Sequence, residues 1–92
     1  MPLATTTTFD STSAGAQLFV SQRIERRGVS ITNTDANALY VIIGSTTVSS
    51  TSHTAAIPTS GLYETPVWYN GEKIAGIWAA NGAGYAHVTE WL

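Results

Sequence analysis

Sorted into apolar and polar positions, the chain changes character at about residue 16. Residues 1–16 (MPLATTTTFDSTSAGA) are Thr, Ser, Ala and Gly with no repeating apolar spacing, and Leu3 and Phe9 are their anchors. Such a segment does not offset its own ordering entropy, which predicts a flexible N-terminal arm that orders on a neighbour through Leu3 and Phe9. From Gln17 the period becomes two. Leu18, Val20 and Ile24 share one face; after Gly28 the apolar parity passes to Val29 and Ile31, predicting a bulge or tight bend around Arg26–Gly28. A polar turn over Thr34–Asn37 and the run Leu39–Ile43 (LYVII) predict a hairpin across residues 28–43.

The Ser/Thr tract from Ser45 to Ser52 fits a long loop or an exposed edge strand. His53–Ile57, Leu62–Thr65, Val67–Tyr69, Lys73–Ala80 and Tyr85–Trp91 read as further strands. They are divided by Pro58–Gly61, by Pro66, by the hairpin-type pair Asn70-Gly71, and by Asn81–Gly84. About seven short strands at roughly 8–12-residue spacing, with no amphipathic helix, predict an all-β fold: a small antiparallel β-sandwich or barrel over residues 17–92 as one domain. Trp78 stands between small Gly76 and Ala80 and is expected in the core. Leu39–Ile43 and Ile74–Ala80 are apolar on both faces. A sandwich buries one face of each sheet, so Tyr40, Ile42, Ala75 and Ile77 must meet a partner, a loop or the arm.

Composition sharpens this picture. At 92 residues the chain is a single small domain, of a size that buries only roughly 60–65% of its unfolded surface and needs a supplement. Cysteine is absent and there are two histidines, His53 and His87, on separate strands. Disulfides are thereby excluded and a metal is not expected, which leaves burial against other subunits. Charged residues make up 11% of the chain, against about 25% in an ordinary soluble domain. The net charge of −2 offers no phosphate-neutralising surface, so nucleic acid is not an expected partner. Nor is a membrane, since no apolar run approaches the roughly 20 residues that span a bilayer. Met1–Thr8 lacks the basic and apolar regions of a secretory signal, so the chain is expected to be made and used in a cytoplasm without cleavage. No nucleophile elbow or phosphate-binding glycine loop stands in the sequence, so neither enzymatic activity nor a cofactor is expected.

Two groups of residues are candidates for contact. Arg23, Arg26 and Arg27, gathered around Glu25, fit a solvated segment with internal ion pairs or a partner contact through guanidinium forks. Trp68 and Tyr69, beside Pro66 and a turn, fit a contact surface. With Leu3 and Phe9 they make up the expected interface.

The segments Gly61–Pro66, Tyr69-Asn70-Gly71, Gly76–Ala80 and Ala86–Glu90, with the stretch Arg27–Val41 carrying Ile31-Thr32-Asn33, resemble small virion proteins of tailed bacteriophages, of the capsid decoration (cement) or head-fibre type. The resemblance covers about residues 23–90 and implies a place on the capsid outer surface, many copies per particle, the major capsid protein as partner, and a homo-oligomer, a trimer being favoured. It implies no chemistry. A tail, neck or fibre component fits the same residues. So does a carbohydrate-binding module that uses Trp68, Tyr69 and Tyr85 as a stacking platform, with Asn70 beside the rings, for host adsorption.

Overall fold

The period-two segments become strands, and the surprise lies in how they are joined. The structure is a computed structural model describing residues 4–12, 15–66 and 69–92. Its strands are β1 (Ala4–Asp10), β2 (Gln17–Val20), β3 (Gly28–Asn33), β4 (Leu39–Ile43), β5 (Ala55–Ile57), β6 (Leu62–Glu64), β7 (Ile74–Trp78) and β8 (Tyr85–Trp91). No helix occurs among the described residues. Two four-stranded antiparallel sheets form, one in the order β1-β8-β3-β6 and the other β2-β7-β4-β5.

The pairings are nested. β4 pairs with β5, β3 with β6, β2 with β7 and β1 with β8. The chain is thus one long hairpin whose tip is the β4–β5 connection, rolled so that β3 meets β8 and β4 meets β7. That is the topology of an eight-stranded jelly roll, a form of β-sandwich.

The topology corrects several local expectations. Residues 28–43 are not a hairpin: β3 and β4 lie in different sheets, and the Thr34–Asn37 turn carries the chain over the core. The physical reason is that both strands present a core face, Val29 and Ile31 on one and Leu39 and Val41 on the other, all buried. Facing each other buries both sets; lying side by side would leave each in need of another cover. Residues 21–27 are likewise a crossing between sheets rather than a bulge, and Ile24 leaves the core face at 87% exposure. Asn70-Gly71 also sits on a crossing. Gly71 has φ +83°, and a Cβ there would lie 1.9 Å from the Arg23 carbonyl oxygen, so this glycine marks a close approach of two loops. Of the strand expected at 67–69, Val67 and Trp68 fall outside the described residues, and Tyr69 belongs to no strand.

The arm is corrected too. Residues 4–10, expected to lack a partner within the chain, pair in register with β8 from Ala4↔Trp91 to Asp10↔Tyr85. Four successive threonines are strong strand formers once a neighbour supplies a ladder. Phe9 anchors the strand with its ring 4.7 Å from that of Phe19.

The core lies between the sheets around Trp78, Ile31, Leu39, Ile57 and Ile74. Trp78 is buried as its setting predicts, although the room above Gly76 is taken by Phe19: a Cβ on Gly76 would lie 2.5 Å from that ring. Trp78 and Phe19 meet edge to face, and the indole Nε1–H donates to Asn33 Oδ1 at 3.1 Å. This buried indole therefore costs no unpaired donor.

Candidate interaction surface

Of the expected contact residues, Arg23, Arg26, Arg27 and Tyr69 lie at one end of the sandwich, and Arg26 and Tyr69 are used there internally. Arg26 is buried. Its Nε and Nη2 donate to Glu90 Oε1 at 2.9 and 2.7 Å, and Nη1 donates to the Tyr69 hydroxyl at 3.1 Å and the Gly71 carbonyl at 3.3 Å. The Tyr69 hydroxyl donates onward to the Glu72 carbonyl, and burial pushes the Tyr69 phenol pKa up. This network staples the 21–27 crossing to the chain around Gly71 and to the end of β8. Arg23 pairs at the surface with Glu25, whose carboxyl is held below its ordinary range chiefly by that hydrogen bond. Arg27 is exposed, and its backbone N–H donates to the Trp91 carbonyl. Phe9 is the anchor of β1; Leu3 and Trp68 lie outside the described residues. Tyr69 and Tyr85 stand at opposite ends of the sandwich, so they do not form one platform.

The other end is held by a polar hub at the β3–β4 crossing. Asp35 Oδ1 accepts from the Gly84 backbone N–H and the Ser11 hydroxyl, and Oδ2 from the backbone and side-chain N–H of Asn37. The backbone donors of Asn37 and Gly84 are the main cause of its depressed pKa. Asn33 completes the hub by donating to the Asn37 and Ile57 carbonyls. A shallow depression opens here between residues 34–37 and 82–85, but both carboxylate oxygens facing it are occupied by the chain. Nothing in the composition marks Asp35 as buried; its place at the start of a core-crossing turn is the one signal.

On the outside of the β1-β8-β3-β6 sheet the described residues are exposed or half-exposed. Alternation sets Thr6 and Thr8 of β1, Tyr85, His87, Thr89 and Trp91 of β8, Ser30 and Thr32 of β3, and Leu62 and Glu64 of β6 on this face. Rows run straight across the strands: Thr6, Thr89, Ser30 and Glu64 in one, Thr8, His87, Thr32 and Leu62 in the next. Side chains tie them together. The Thr6 and Thr89 hydroxyls are 3.0 Å apart, Thr8 Oγ1 is 3.4 Å from His87 Nδ1, and the Trp91 indole N–H donates to Ser30 Oγ at 3.0 Å. The Tyr85 ring meets His87 edge-on. Four strands span roughly 15–20 Å. The middle of that width is free of acidic and basic carboxylate, ammonium or guanidinium groups, so a partner laid on it need not desolvate an ion.

The outside of the β2-β7-β4-β5 sheet is treated differently. Tyr40, Ile42, Ala75 and Ile77 face outward, and Ala75 is nonetheless fully buried. The β4–β5 loop touches this side at one point, where the His53 ring is 4.9 Å from that of Tyr40; Val48 of the same loop is buried apart from the main core, and Tyr40, Ile42 and Ile77 stay half-buried. His53 and His87 thus stand outside opposite sheets, and no group of three metal-binding side chains occurs among the described residues. No protein-family model and no curated protein matches this chain.

Proposed function

We propose that this protein is a non-enzymatic structural subunit that docks through the outside of the β1-β8-β3-β6 sheet onto a larger assembly. In the form the sequence resemblance implies, it decorates the outside of a phage capsid by binding the major capsid protein. The observation that carries the reading is the contrast between the two outer faces. The outside of β4 and β7 is apolar and is met at Tyr40 by His53 of the chain's own β4–β5 loop, whereas the outside of β8 and β3 carries hydroxyls, an imidazole and two aromatic rings, a surface suited to another protein. Double-sheet jelly rolls recur in viral capsid and lectin domains, a likeness of fold alone.

A decoration protein acts by mass action. Binding the assembled lattice and not free subunits stabilises assembly by about 2.7 kcal/mol per site at a hundredfold excess over Kd. The test is to strip or genetically deplete particles of the protein and add it back. Depleted particles are expected to burst at lower temperature, with resistance restored at a saturable stoichiometry. Equal heat resistance with and without the protein would overturn the reading. A second reading, a glycan-binding face, is favoured by the Tyr85 and Trp91 rings flanking hydroxyls on the same surface. Binding on a glycan array, lost on Trp91→Ala, would select it.

A further inference from the structure

Three of the four outer strands of the two sheets are short, β2, β5 and β6 having 4, 3 and 3 residues. The fourth, β1, has 7 residues, ATTTTFD, with neither a lysine nor a proline, and Asp10 at its end is its only charge. Natural sheets protect long edges with charge, proline or bulges, and β1 carries none of these along its middle. It also gains little from its own chain: all of Ala4–Thr8 is exposed, including Thr5 and Thr7, which point inward beyond the reach of the second sheet.

The hydrogen-bonding parity of this edge follows from its ends. Ser11 donates its backbone N–H to the Gly84 carbonyl on the β8 side. Alternation then turns the N–H and C=O of Thr5, Thr7 and Phe9 toward β8, and those of Ala4, Thr6, Thr8 and Asp10 outward. The far side of β8 agrees. Thr34 donates to the Tyr85 carbonyl, which turns Tyr85 toward β3 and therefore Ala86, Val88 and Glu90, the register partners of Phe9, Thr7 and Thr5, toward β1. At the Asp10 end the outward carbonyl is closed off by Gln17 Nε2 at 2.9 Å. Ala4, Thr6 and Thr8 remain, with no described strand beyond them.

We propose that β1 is a self-association edge, where two copies pair β1 antiparallel about a twofold axis through Thr7 and merge two four-stranded sheets into one. This register overlaps the whole strand. Thr6 of one copy exchanges both backbone hydrogen bonds with Thr8 of the other, and the two Thr7 residues face each other as a close, non-hydrogen-bonded pair. Phe9 comes beside Thr5 of the second copy, covering a ring that one chain leaves half-exposed. The charges agree with a second copy as occupant: each Asp10 meets Ala4, and the two Asp10 carboxylates end up roughly 20 Å apart along the strands. The inference is independent of the capsid reading, because it uses the edge of the sheet and not its outer face.

Sedimentation equilibrium and cysteine cross-linking on the full chain test it. The wild type is expected to be dimeric at micromolar concentration. Thr8→Pro removes an outward N–H and leaves the β8 ladder intact, so it is expected to weaken dimerisation at least about tenfold, one hydrogen bond being lost per copy. Thr7→Lys sets two ammonium groups at the axis and is expected to give a monomer that partly re-dimerises in high salt. The chain has no cysteine of its own, so Thr7→Cys is expected to form a disulfide-linked dimer under mild oxidation. Thr5→Cys, held roughly 14 Å from its counterpart by the register, is expected not to. A monomeric wild type, a trimer, a dimer unaffected by both Thr8→Pro and Thr7→Lys, or equal cross-linking at both positions would overturn the proposal.

Discussion

The two outer faces of this sandwich are built from the same strand period and meet opposite fates. Outside β4 and β7 the alternation fails: Tyr40, Ile42, Ala75 and Ile77 are apolar where a solvated face would be polar, and the β4–β5 loop roofs this face in part, with His53 against Tyr40. Outside β8 and β3 the alternation holds, with Thr, Ser and His between two aromatic rings, and nothing in the described chain covers them. A strand that is apolar on both faces is therefore no proof of a partner, since the chain's own loop meets part of the outer face at Tyr40. The face that invites a partner is the polar one, which this chain can afford to leave in water.

The largest effect is expected where both faces depend on one core. Trp78→Ala removes a fully buried ring and leaves the Asn33 Oδ1 with one donor fewer. The expected cost is roughly 3–5 kcal/mol, enough to unfold a domain of this size. Loss of cooperative melting by circular dichroism checks it. A melt unchanged from wild type would mean that neither face rests on this ring.

The next effect separates the roofed face from the core beneath it. Val48→Ala removes two buried carbons from the loop and is expected to cost about 1–2 kcal/mol. Unlike Trp78→Ala, it is expected to keep a cooperative melt and to raise binding of an apolar dye as the roof loosens. Val48→Ala with wild-type stability and dye binding would show that the loop does not shelter the sheet.

The comparison also shows what a sequence can state and what it cannot. Strand positions followed from local signals, the short apolar run at Leu39–Ile43 and the turn-bounded segment Tyr85–Trp91, because run length and alternation are local properties. Which sheet each strand joins did not. The polar turn Thr34–Asn37 is compatible with return beside the same strand or passage over the core, and the choice depends on β8, which pairs with β3 from far along the chain, between Gly28↔Trp91 and Asn33↔Ala86. Arg26 was one cation among neighbours in sequence, and its burial is decided by Glu90, 64 residues away. The Thr-rich start lacked apolar spacing, and it became a strand only because the last strand supplies a ladder. The open face itself was the least visible, being assembled from four strands that are scattered along the chain.

Acid titration gives a third, smaller test, at the hub that sets the end of both sheets. Hydrogen bonds hold the folded Asp35 carboxyl below its ordinary value of 3.8. As pH falls, the unfolded chain takes up this proton first. The stabilisation is therefore complete above 3.8 and is lost as pH falls through the folded value. Asp35→Asn removes an acceptor from donors that converge on it, so its melting temperature is expected below wild type at pH 7, with the gap closing in acid. A gap that is constant with pH would show that Asp35 does not titrate as a hydrogen-bonded carboxylate.

The smallest effect on stability is expected to be the largest on function. Thr32 lies mid-face on β3, between His87 and Leu62 in its row and away from the β1 edge. Thr32 is half-buried, and an arginine there reaches out over the face, so the expected change in stability is within about 1 kcal/mol. A partner seated on this face would have to bury that charge with the Glu64 carboxylate in the neighbouring row as its counter-ion on the face, so attachment to particles is expected to weaken. The matched control is Ala56→Arg, which puts the same charge outside the other sheet, opposite Tyr40, at an exposed position. It is expected to leave both melting and attachment unchanged. Both variants carry the same net charge on opposite outer faces, and because Thr32 is half-buried and Ala56 exposed, attachment is compared only after both melts are shown to match wild type. If Ala56→Arg detaches the protein and Thr32→Arg does not, the docking surface is the roofed side, and the loop must open for a partner to reach it.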